Sequence, residues 1–130
     1  MATVTIYDET VSGEKSQGFD LKFESAIITA RELIRKRVYE EVREYNLREP
    51  EHFRGLVQPS DAASALNGYK LNQKRKIDWE QQFKRATEAF EHNGFFILVD
   101  DRHVEQLDET IEIKLRTQIS FVKLVPLVGG

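Results

Sequence analysis

The most informative stretch of the chain is residues 118–130, which read QISFVKLVPLVGG. Its first part, Gln118–Val125, is rich in β-branched and aromatic side chains, and this composition predicts a strand. Pro126 has no backbone N–H to donate to a strand ladder, so it ends the strand. We therefore expect residues 127–130 to form a free tail.

The pattern inside this strand is irregular. Alternation through Ile119 and Phe121 breaks at Val122 and Leu124, which indicates either a bulge or an exposed apolar face. Exposed apolar groups on a sheet mark interaction sites when they form a patch. We therefore predict that Val122 and Leu124 form a partner-docking patch.

The tail ends in Gly129-Gly130. Glycine has no side chain and unusual conformational freedom, so a diglycine can thread a narrow channel. The carboxylate of Gly130 would then be available as an electrophile once it is adenylated. The alternative interpretation is a frayed end without function, since short motifs often match by chance.

Upstream, the sequence predicts a hairpin and a helix. Thr3–Thr10 and Phe19–Glu24 alternate as half-buried strands and are joined by a glycine-containing turn. Thr29 and Glu32 then have the spacing of a capping box, which starts a helix that runs to about Tyr45. One stripe of this helix is apolar; it consists of Leu33, Ile34, Val38, Val42 and Tyr45.

Residues 50–76 are the least regular part, and we expect a long loop. Ser60-Asp61 can cap a short helix over Ala62–Leu66, which Asn67-Gly68 would stop. A second long helix is predicted from Trp79 to Asn93. Its cap is Asp78 with Gln81 as the return partner, and its apolar stripe is Trp79, Phe83, Ala86 and Phe90.

The last third returns to strand. Phe95–Val99 is a continuous apolar run, as expected of a central strand that is covered on both faces. Asp100-Asp101-Arg102 reads as a turn. Spaced apolar residues follow in a looser segment: Val104, Leu107, Ile111, Ile113 and Leu115. A hairpin, a helix packed across it and a returning chain predict an α+β fold with a mixed sheet and the helix on one face.

Composition limits the protein class. The chain has 130 residues with 40% hydrophobic and 32% charged residues, which fits one globular domain over 1–130. It has no cysteine, which excludes disulfides, a thiol nucleophile and thiolate metal sites. We see neither a signal peptide nor an apolar run of membrane-spanning length, so we expect a cytoplasmic protein with no membrane partner.

Residues 97–130 resemble the C-terminal half of β-grasp proteins, namely ubiquitin and the prokaryotic sulfur carriers of molybdopterin and thiamine biosynthesis. In these families a strand leads into a tail that ends in Gly-Gly. The stretch VPLVGG over Val125–Gly130 looks closest to the proline-containing tail of the molybdopterin carriers. The resemblance covers Thr3–Asn46 and Phe95–Gly130, and the segment 50–93 has no counterpart in a minimal β-grasp protein.

The resemblance implies a ubiquitin-like β-grasp fold with one main helix, and with 50–93 as a mostly helical insertion before the third strand. It also implies a partner activating enzyme that uses ATP to adenylate Gly130, while this chain needs no cofactor and is not itself an enzyme. Gly129 and Gly130 would enter the active site of that enzyme, and Pro126, Leu127 and Val128 would line the entry channel.

Two products of activation remain open. The chain is either a protein modifier, passed to acceptors with the possible help of a conjugating enzyme, or a sulfur carrier with a C-terminal thiocarboxylate. The long insertion favours the modifier, and the tail favours the carrier. A third hypothesis is an interaction module with an inert tail, whose insertion binds a partner or nucleic acid.

Other candidates have simpler explanations. A local basic patch is formed by Lys70, Lys74, Arg75 and Lys76, but we interpret it as a solvated loop and do not expect nucleic-acid binding. The three histidines have no metal-ligand spacing; they are His52, His92 and His103. Asp100 and Asp101 are adjacent on a turn and cannot face each other across a substrate.

Overall fold

The computed structural model describes residues 1–65 and 68–124. Within these residues the chain is an α+β protein with nine strands and two helices. In chain order the elements are β1 (Ala2–Thr10), β2 (Phe19–Phe23), β3 (Ile27–Thr29), α1 (Ala30–Arg48), β4 (Ala62–Ala65), β5 (Gly68–Leu71), α2 (Trp79–Glu91), β6 (Phe95–Val99), β7 (Arg102–Val104), β8 (Thr110–Glu112) and β9 (Gln118–Lys123). The described residues divide into two compact units: the first contains residues 1–32 and 90–124, and the second contains residues 33–65 and 68–89.

The first unit is built on a five-stranded mixed sheet in the order β2-β1-β9-β6-β7. β1 pairs antiparallel with β2 and parallel with β9, and β6 pairs antiparallel with both β9 and β7. The predicted N-terminal hairpin is therefore confirmed as β1 and β2. The predicted strand over Phe95–Val99 is confirmed as β6, and the predicted final strand as β9. The last predicted residue of the final strand, Val125, lies outside the described residues.

Only one face of β6 is fully buried. Phe95, Ile97 and Val99 are at most 5% exposed, whereas Phe96 and Leu98 are half-buried. The prediction of a strand covered on both faces is therefore wrong, because a continuous apolar run alone does not tell which faces are covered. The β6–β9 register is uninterrupted, so no bulge breaks this pair.

Aromatic rings fill part of the core of the first unit. The Phe95 ring lies 5.7 Å from that of Phe90 and 5.9 Å from that of Phe121. All three residues are at most 6% exposed. Such rings bury large apolar areas, so this row is a major contributor to the stability of the unit.

The start of α1 is held by local caps and by backbone groups of the first unit. The Glu32 amide donates to Thr29 Oγ1 at 3.1 Å, which confirms the predicted cap. The Glu32 carboxylate accepts from the Thr29 hydroxyl at 3.4 Å. The amides of Ala30 and Arg31 donate to the carbonyls of Glu109 and Leu107 at 3.0 and 2.9 Å, so two of the open N–H groups of the first turn are satisfied.

The segment after β7 buries most of its apolar residues, with one exception. Leu115 is 99% exposed, whereas the other four positions of the spaced set are at most 8% exposed. Leu115 lies in a turn that is closed by hydrogen bonds between Lys114 and Thr117. Leu115 is therefore the one member of the spaced set that does not join the core, because the turn directs it away from the buried side.

Within the second unit, the apolar stripe of α1 is buried as predicted. All five of its residues are at most 5% exposed. The helix extends to Arg48, three residues beyond the predicted end. It stops where Glu49 takes a left-handed φ of 44°, directly before Pro50.

A charged residue shares the buried side of α1. Arg37 is 1% exposed, and its Nε donates to Glu41 Oε2 at 3.4 Å. Glu41 Oε1 accepts from the Leu56 amide at 2.9 Å. This carboxylate therefore joins the helix to the segment that follows it, and a buried charge of this kind depends on such partners.

Ala62–Ala65 and Gly68–Leu71 are two strands, and the predicted short helix over Ala62–Leu66 is wrong in its described part. β4 and β5 pair antiparallel, and Phe53 and Tyr69 exchange two backbone hydrogen bonds at 2.8 and 2.9 Å. Asp61 has a φ of 58°, which is incompatible with a helical cap at this position. Leu66 and Asn67 of the predicted helix and stop lie outside the described residues.

The predicted second helix is observed as α2, although the segment 50–93 is not mostly helical in its described part. Asp78 Oδ1 accepts from the Glu80 amide at 3.0 Å, which confirms the cap. The predicted return partner Gln81 is exposed, while the neighbouring Gln82 is buried and donates to the Val57 carbonyl at 3.2 Å.

The stripe of α2 is buried to different degrees. Ala86 and Phe90 are buried, but Trp79 and Phe83 are only half-buried. The Trp79 ring contacts the edge of Tyr39 of α1 at 5.3 Å, and its face is covered by the Arg35 guanidinium at 5.0 Å. Trp79 therefore packs against α1 within the second unit.

We predict that Phe95→Ala lowers the free energy of unfolding by about 3–5 kcal/mol, because it removes a fully buried ring. Phe83→Ala is the matched control, and we expect about half that loss because its half-buried ring contributes less buried area. Urea denaturation of the two variants measures both values. Equal losses would contradict the difference in burial.

Candidate functional site

The predicted activation residues lie outside the described part of the chain. They are Gly130, Gly129, Val128, Leu127 and Pro126. The two residues of the predicted docking patch, Val122 and Leu124, are described. The candidate docking site is therefore described from β9 to Leu124, the last described residue.

β9 positions the end of the described chain in the middle of the sheet. Its last residue, Lys123, lies opposite Thr10 of β1 and opposite Phe95 of β6. Its Nζ is 3.5 Å from Asp8 Oδ2, so the strand end is also held by an ion pair. Leu124 follows directly and is 39% exposed.

One side of the sheet, which we call the outer face, carries half-buried side chains on three strands around Ser120, which is 7% exposed. It consists of Tyr7 and Glu9 of β1, Phe96 and Leu98 of β6, and Ser120 and Val122 of β9. Val122 lies opposite Glu9 on one side and Phe96 on the other, and Ser120 lies between Tyr7 and Leu98 in the same way. Residues directly opposite in a ladder share a face, so Phe96, Leu98 and Val122 form one apolar surface.

Polar groups border this surface. His103 contacts the Phe96 ring edge-on at 5.3 Å. Lys15 Nζ lies 4.6 Å from the centre of the Tyr7 ring, within cation–π range. A cavity of about 250 Å³ adjoins the outer face and is lined by Phe96, His103 and Glu105, among others.

The outer face therefore combines apolar side chains with polar neighbours, as protein interfaces do. Sequence reasoning identified Val122 but missed Tyr7, Phe96 and Leu98. The alternation of β1 shows that Tyr7 faces away from the core. The contribution of β6, however, becomes visible only once the register of β6 against β9 is known.

The basic patch is tied into the second unit. Arg75 Nη2 donates to the Ser60 carbonyl at 2.6 Å. Lys76 Nζ donates to the Asn46 carbonyl at 2.9 Å and lies 3.4 Å from Glu49. Lys70 is 3.8 Å from Glu51. Of the four basic side chains, only Lys74 has no hydrogen bond or ion pair within residues 1–65 and 68–124.

The remaining candidates from the sequence are the histidines and the Asp100–Asp101 pair. Within the residues that the structure describes, no group of three or more histidines, aspartates and glutamates could hold a metal ion. Asp100 and Asp101 have φ values of 47° and 69° and form the turn between β6 and β7, as predicted. Their left-handed conformation is typical of a tight hairpin turn.

The phenols of two tyrosines in the second unit have raised pKa values. Burial raises the pKa of the Tyr45 phenol, Glu49 raises it further, and Arg75 lowers it. Burial raises the pKa of the Tyr69 phenol, and Glu41 adds to that shift. Both phenols are therefore protonated at neutral pH, and both can act as hydrogen-bond donors.

Comparison with known proteins identifies no relative. No protein-family model, no curated protein and no solved structure matches the chain. Neither helix of the described part combines the length and the apolar character that crossing a bilayer requires.

We predict that the protein does not bind nucleic acid at physiological ionic strength, because most of the basic patch is engaged within the second unit. Fluorescence anisotropy with a labelled single-stranded DNA oligonucleotide measures this directly. A micromolar complex that weakens steeply with salt, and that disappears when Lys74, Arg75 and Lys76 are all replaced by alanine, would contradict the prediction. Arg43→Ala on the exposed side of α1 is the control.

Proposed function

We propose that the chain is a ubiquitin-like β-grasp protein modifier. It would be activated at the carboxylate of Gly130 by a dedicated ATP-dependent enzyme and then transferred to an acceptor. In this proposal the protein is a substrate and carrier, and the chemistry belongs to its partner enzyme.

The order of the strands is the observation that carries the proposal. A hairpin of β1 and β2 is followed by a helix, and the chain then returns so that β9 lies between β1 and β6. This is the hairpin, helix and mixed sheet that the β-grasp resemblance implies. The residues after β9 include the Gly129-Gly130 motif, as in the families that the sequence resembles.

The outer face supports a docking role for Val122 and Leu124. Val122 lies directly opposite Phe96 in the β9–β6 ladder, and Leu124, two residues further along the chain, is 39% exposed. An activating enzyme that holds this surface would keep the Gly130 carboxylate close to its nucleotide. Such positioning is an effective way to accelerate a reaction between two bound groups.

The proposed chemistry follows the resemblance. A carboxylate oxygen of Gly130 attacks the α-phosphorus of ATP, and pyrophosphate leaves. The acyl adenylate then reacts with an acceptor amine: the amide bond forms, AMP leaves, and the amine loses a proton. If a sulfide donor attacks instead, AMP leaves and a thiocarboxylate forms, which is the sulfur-carrier alternative.

Two differences from the families that the sequence resembles favour a dedicated partner enzyme. The tail of ubiquitin has arginines beside its glycines, whereas the last basic residue here is Lys123. The segment 50–93 has no counterpart in the minimal β-grasp proteins. An enzyme that reads tail arginines would find no such charges here, so a different set of contacts is required.

We predict that deletion of Gly129-Gly130, or addition of one residue after Gly130, abolishes activation. The reason is that the terminal carboxylate has to reach the α-phosphate inside a narrow channel. The test is expression in the native host with an N-terminal tag, followed by intact-mass measurement and detection of conjugates. The stability of both variants should be nearly unchanged, because a free tail buries little.

The products of activation distinguish the protein modifier from the sulfur carrier. Conjugates of higher mass support the modifier, and replacement of an oxygen by sulfur at the C-terminus supports the carrier. If the intact chain and the truncated chain behave identically, both proposals fail and the inert module remains.

We predict that Leu124→Ser reduces activation about tenfold, because the apolar side chain would be buried against the enzyme. Leu115→Ser is the matched control, since Leu115 is 99% exposed and lies in a separate turn. The measurement is the yield of conjugate or thiocarboxylate at equal protein level. Equal yields from the two variants would remove Leu124 from the docking surface.

A further inference from the structure

The second unit contains a cleft that the proposed tail chemistry does not use. A cavity of about 450 Å³ lies between the C-terminal part of α1 and the segment 50–54. A second cavity of about 320 Å³ adjoins it on the side of β5. The two share Tyr45, Pro50 and Glu51 as lining residues, and the larger one has the volume of a small-molecule site.

The floor of this cleft is aromatic and firmly held. Tyr45 and Phe53 are 5% and 2% exposed, and their rings meet edge to face at 5.4 Å. Phe53 is fixed by its two backbone hydrogen bonds to Tyr69. Its ring also lies so close to Gly55 that any side chain at that glycine would collide with it. Little of either ring is open to solvent, so this pair fixes the shape of the cleft, while exposed Pro50 offers apolar surface to a flat or ring-shaped ligand.

The carboxylates that line the cleft are already engaged. Each has a partner of opposite charge or a backbone donor within the second unit. The contacts are Glu44 to Arg48 at 2.5 Å, Glu51 to Lys70 at 3.8 Å, and Glu41 to Arg37 at 3.4 Å and to the Leu56 amide at 2.9 Å. The cleft therefore offers little uncompensated negative charge to a cationic ligand.

The unengaged polar groups are donors. Within the described residues, the Tyr45 hydroxyl and the side chains of His52, Arg54 and Lys74 make no hydrogen bond or ion pair. The Tyr45 phenol is protonated at neutral pH, as any tyrosine is, and burial raises its pKa further. Arg54 is exposed and always charged, and a neutral imidazole still has one N–H donor. Arg54 and Lys74 thus leave the cleft with uncompensated positive charge.

We propose that this cleft binds a small organic anion, in which one phosphate or carboxylate group is attached to a ring-shaped apolar body. The ring would lie against Pro50, in the part of the cleft that the buried Tyr45–Phe53 pair holds in shape. The anionic group would accept hydrogen bonds from Arg54, His52 and the Tyr45 hydroxyl. This site is independent of the Gly130 chemistry, since none of its residues belongs to the outer face or the tail.

The test is an NMR titration of the ¹⁵N-labelled full chain with three matched probes. Phenyl phosphate has both the ring and the anion, inorganic phosphate has only the anion, and benzylamine has the ring with a positive charge. We expect phenyl phosphate to give saturable shifts at the amides of residues 45 and 52–54. The other two probes should bind at least tenfold more weakly, because each lacks one of the two elements that the cleft recognises.

Three variants assign the contacts. Arg54→Gln should weaken phenyl phosphate about tenfold, because it removes a charge-assisted hydrogen bond. Tyr45→Phe should weaken it about fivefold, because it removes only a hydroxyl donor and preserves the floor. Arg43→Gln is the matched control: Arg43 is an exposed arginine of α1 that does not line the cleft, and binding should stay within about twofold.

Several results would overturn the proposal. Benzylamine binding that equals that of phenyl phosphate would show that charge is not recognised. Equal affinities of the Arg54→Gln and Arg43→Gln proteins would show that Arg54 is not the anion ligand. The absence of saturable shifts with phenyl phosphate up to millimolar concentration would show that the cleft is not a site for this class of ligand. The amide spectrum of each variant reports in the same experiment whether the protein is folded.

Discussion

The hydrogen bonding of β9 on both of its edges is the constraint on which the first unit depends. The strand pairs in parallel with β1 and antiparallel with β6, so it joins the N-terminal hairpin to the β6–β7 hairpin. Without it, the five-stranded sheet would separate into two hairpins, and an isolated hairpin is marginal in water. The closing strand comes from the end of the described chain, so this pairing carries the loop-closure entropy of almost the whole protein.

The register of β9 also decides which side chains the outer face presents. Ile119 and Phe121 are fully buried, while Val122 lies half-buried on the outer face between Glu9 and Phe96. A slip of one residue would exchange the two faces and expose Phe121. The burial of the core therefore fixes the proposed docking surface as well. A substitution that weakens the register would disturb both, and this is why exposed Leu124 is a cleaner probe of docking than any residue inside the ladder.

Local signals predicted most of the regular structure. The alternation in Thr3–Thr10, the capping box at Thr29 and the cap at Asp78 each correspond to an observed element, because each depends on residues that are close in sequence. The pairing of β4 with β5 was not predictable in this way. The stretch Ala62–Ala65 has residues that favour a helix, but its pairing with Gly68–Leu71 and the left-handed backbone at Asp61 outweigh that propensity.

The candidate sites were less accessible to sequence reasoning than the strands. Val122 was found because it breaks an alternation, but Phe96 joins it only through the β6–β9 register. Arg37 occupies a position that a charged residue ordinarily avoids, and its burial depends on contacts such as the one with Glu41. The cleft floor pairs a residue of α1 with one from a segment that looks like an unstructured loop in the sequence. The position of Phe53 follows from its two backbone hydrogen bonds with Tyr69, which no local pattern in the sequence indicates.

The two proposals place different demands on the fold. Tail chemistry needs a carboxylate that can leave the sheet and enter another protein, so its reactive residues have little to contribute to stability. The cleft needs the opposite, because an apolar floor recognises a ligand only if it is held in place before the ligand arrives. Tyr45 and Phe53 serve the core and the cleft at the same time, so truncating either ring would lower stability and binding together. The recognition that is specific to a ligand therefore depends on groups at the cleft that the core does not use, namely the Tyr45 hydroxyl and the Arg54 guanidinium.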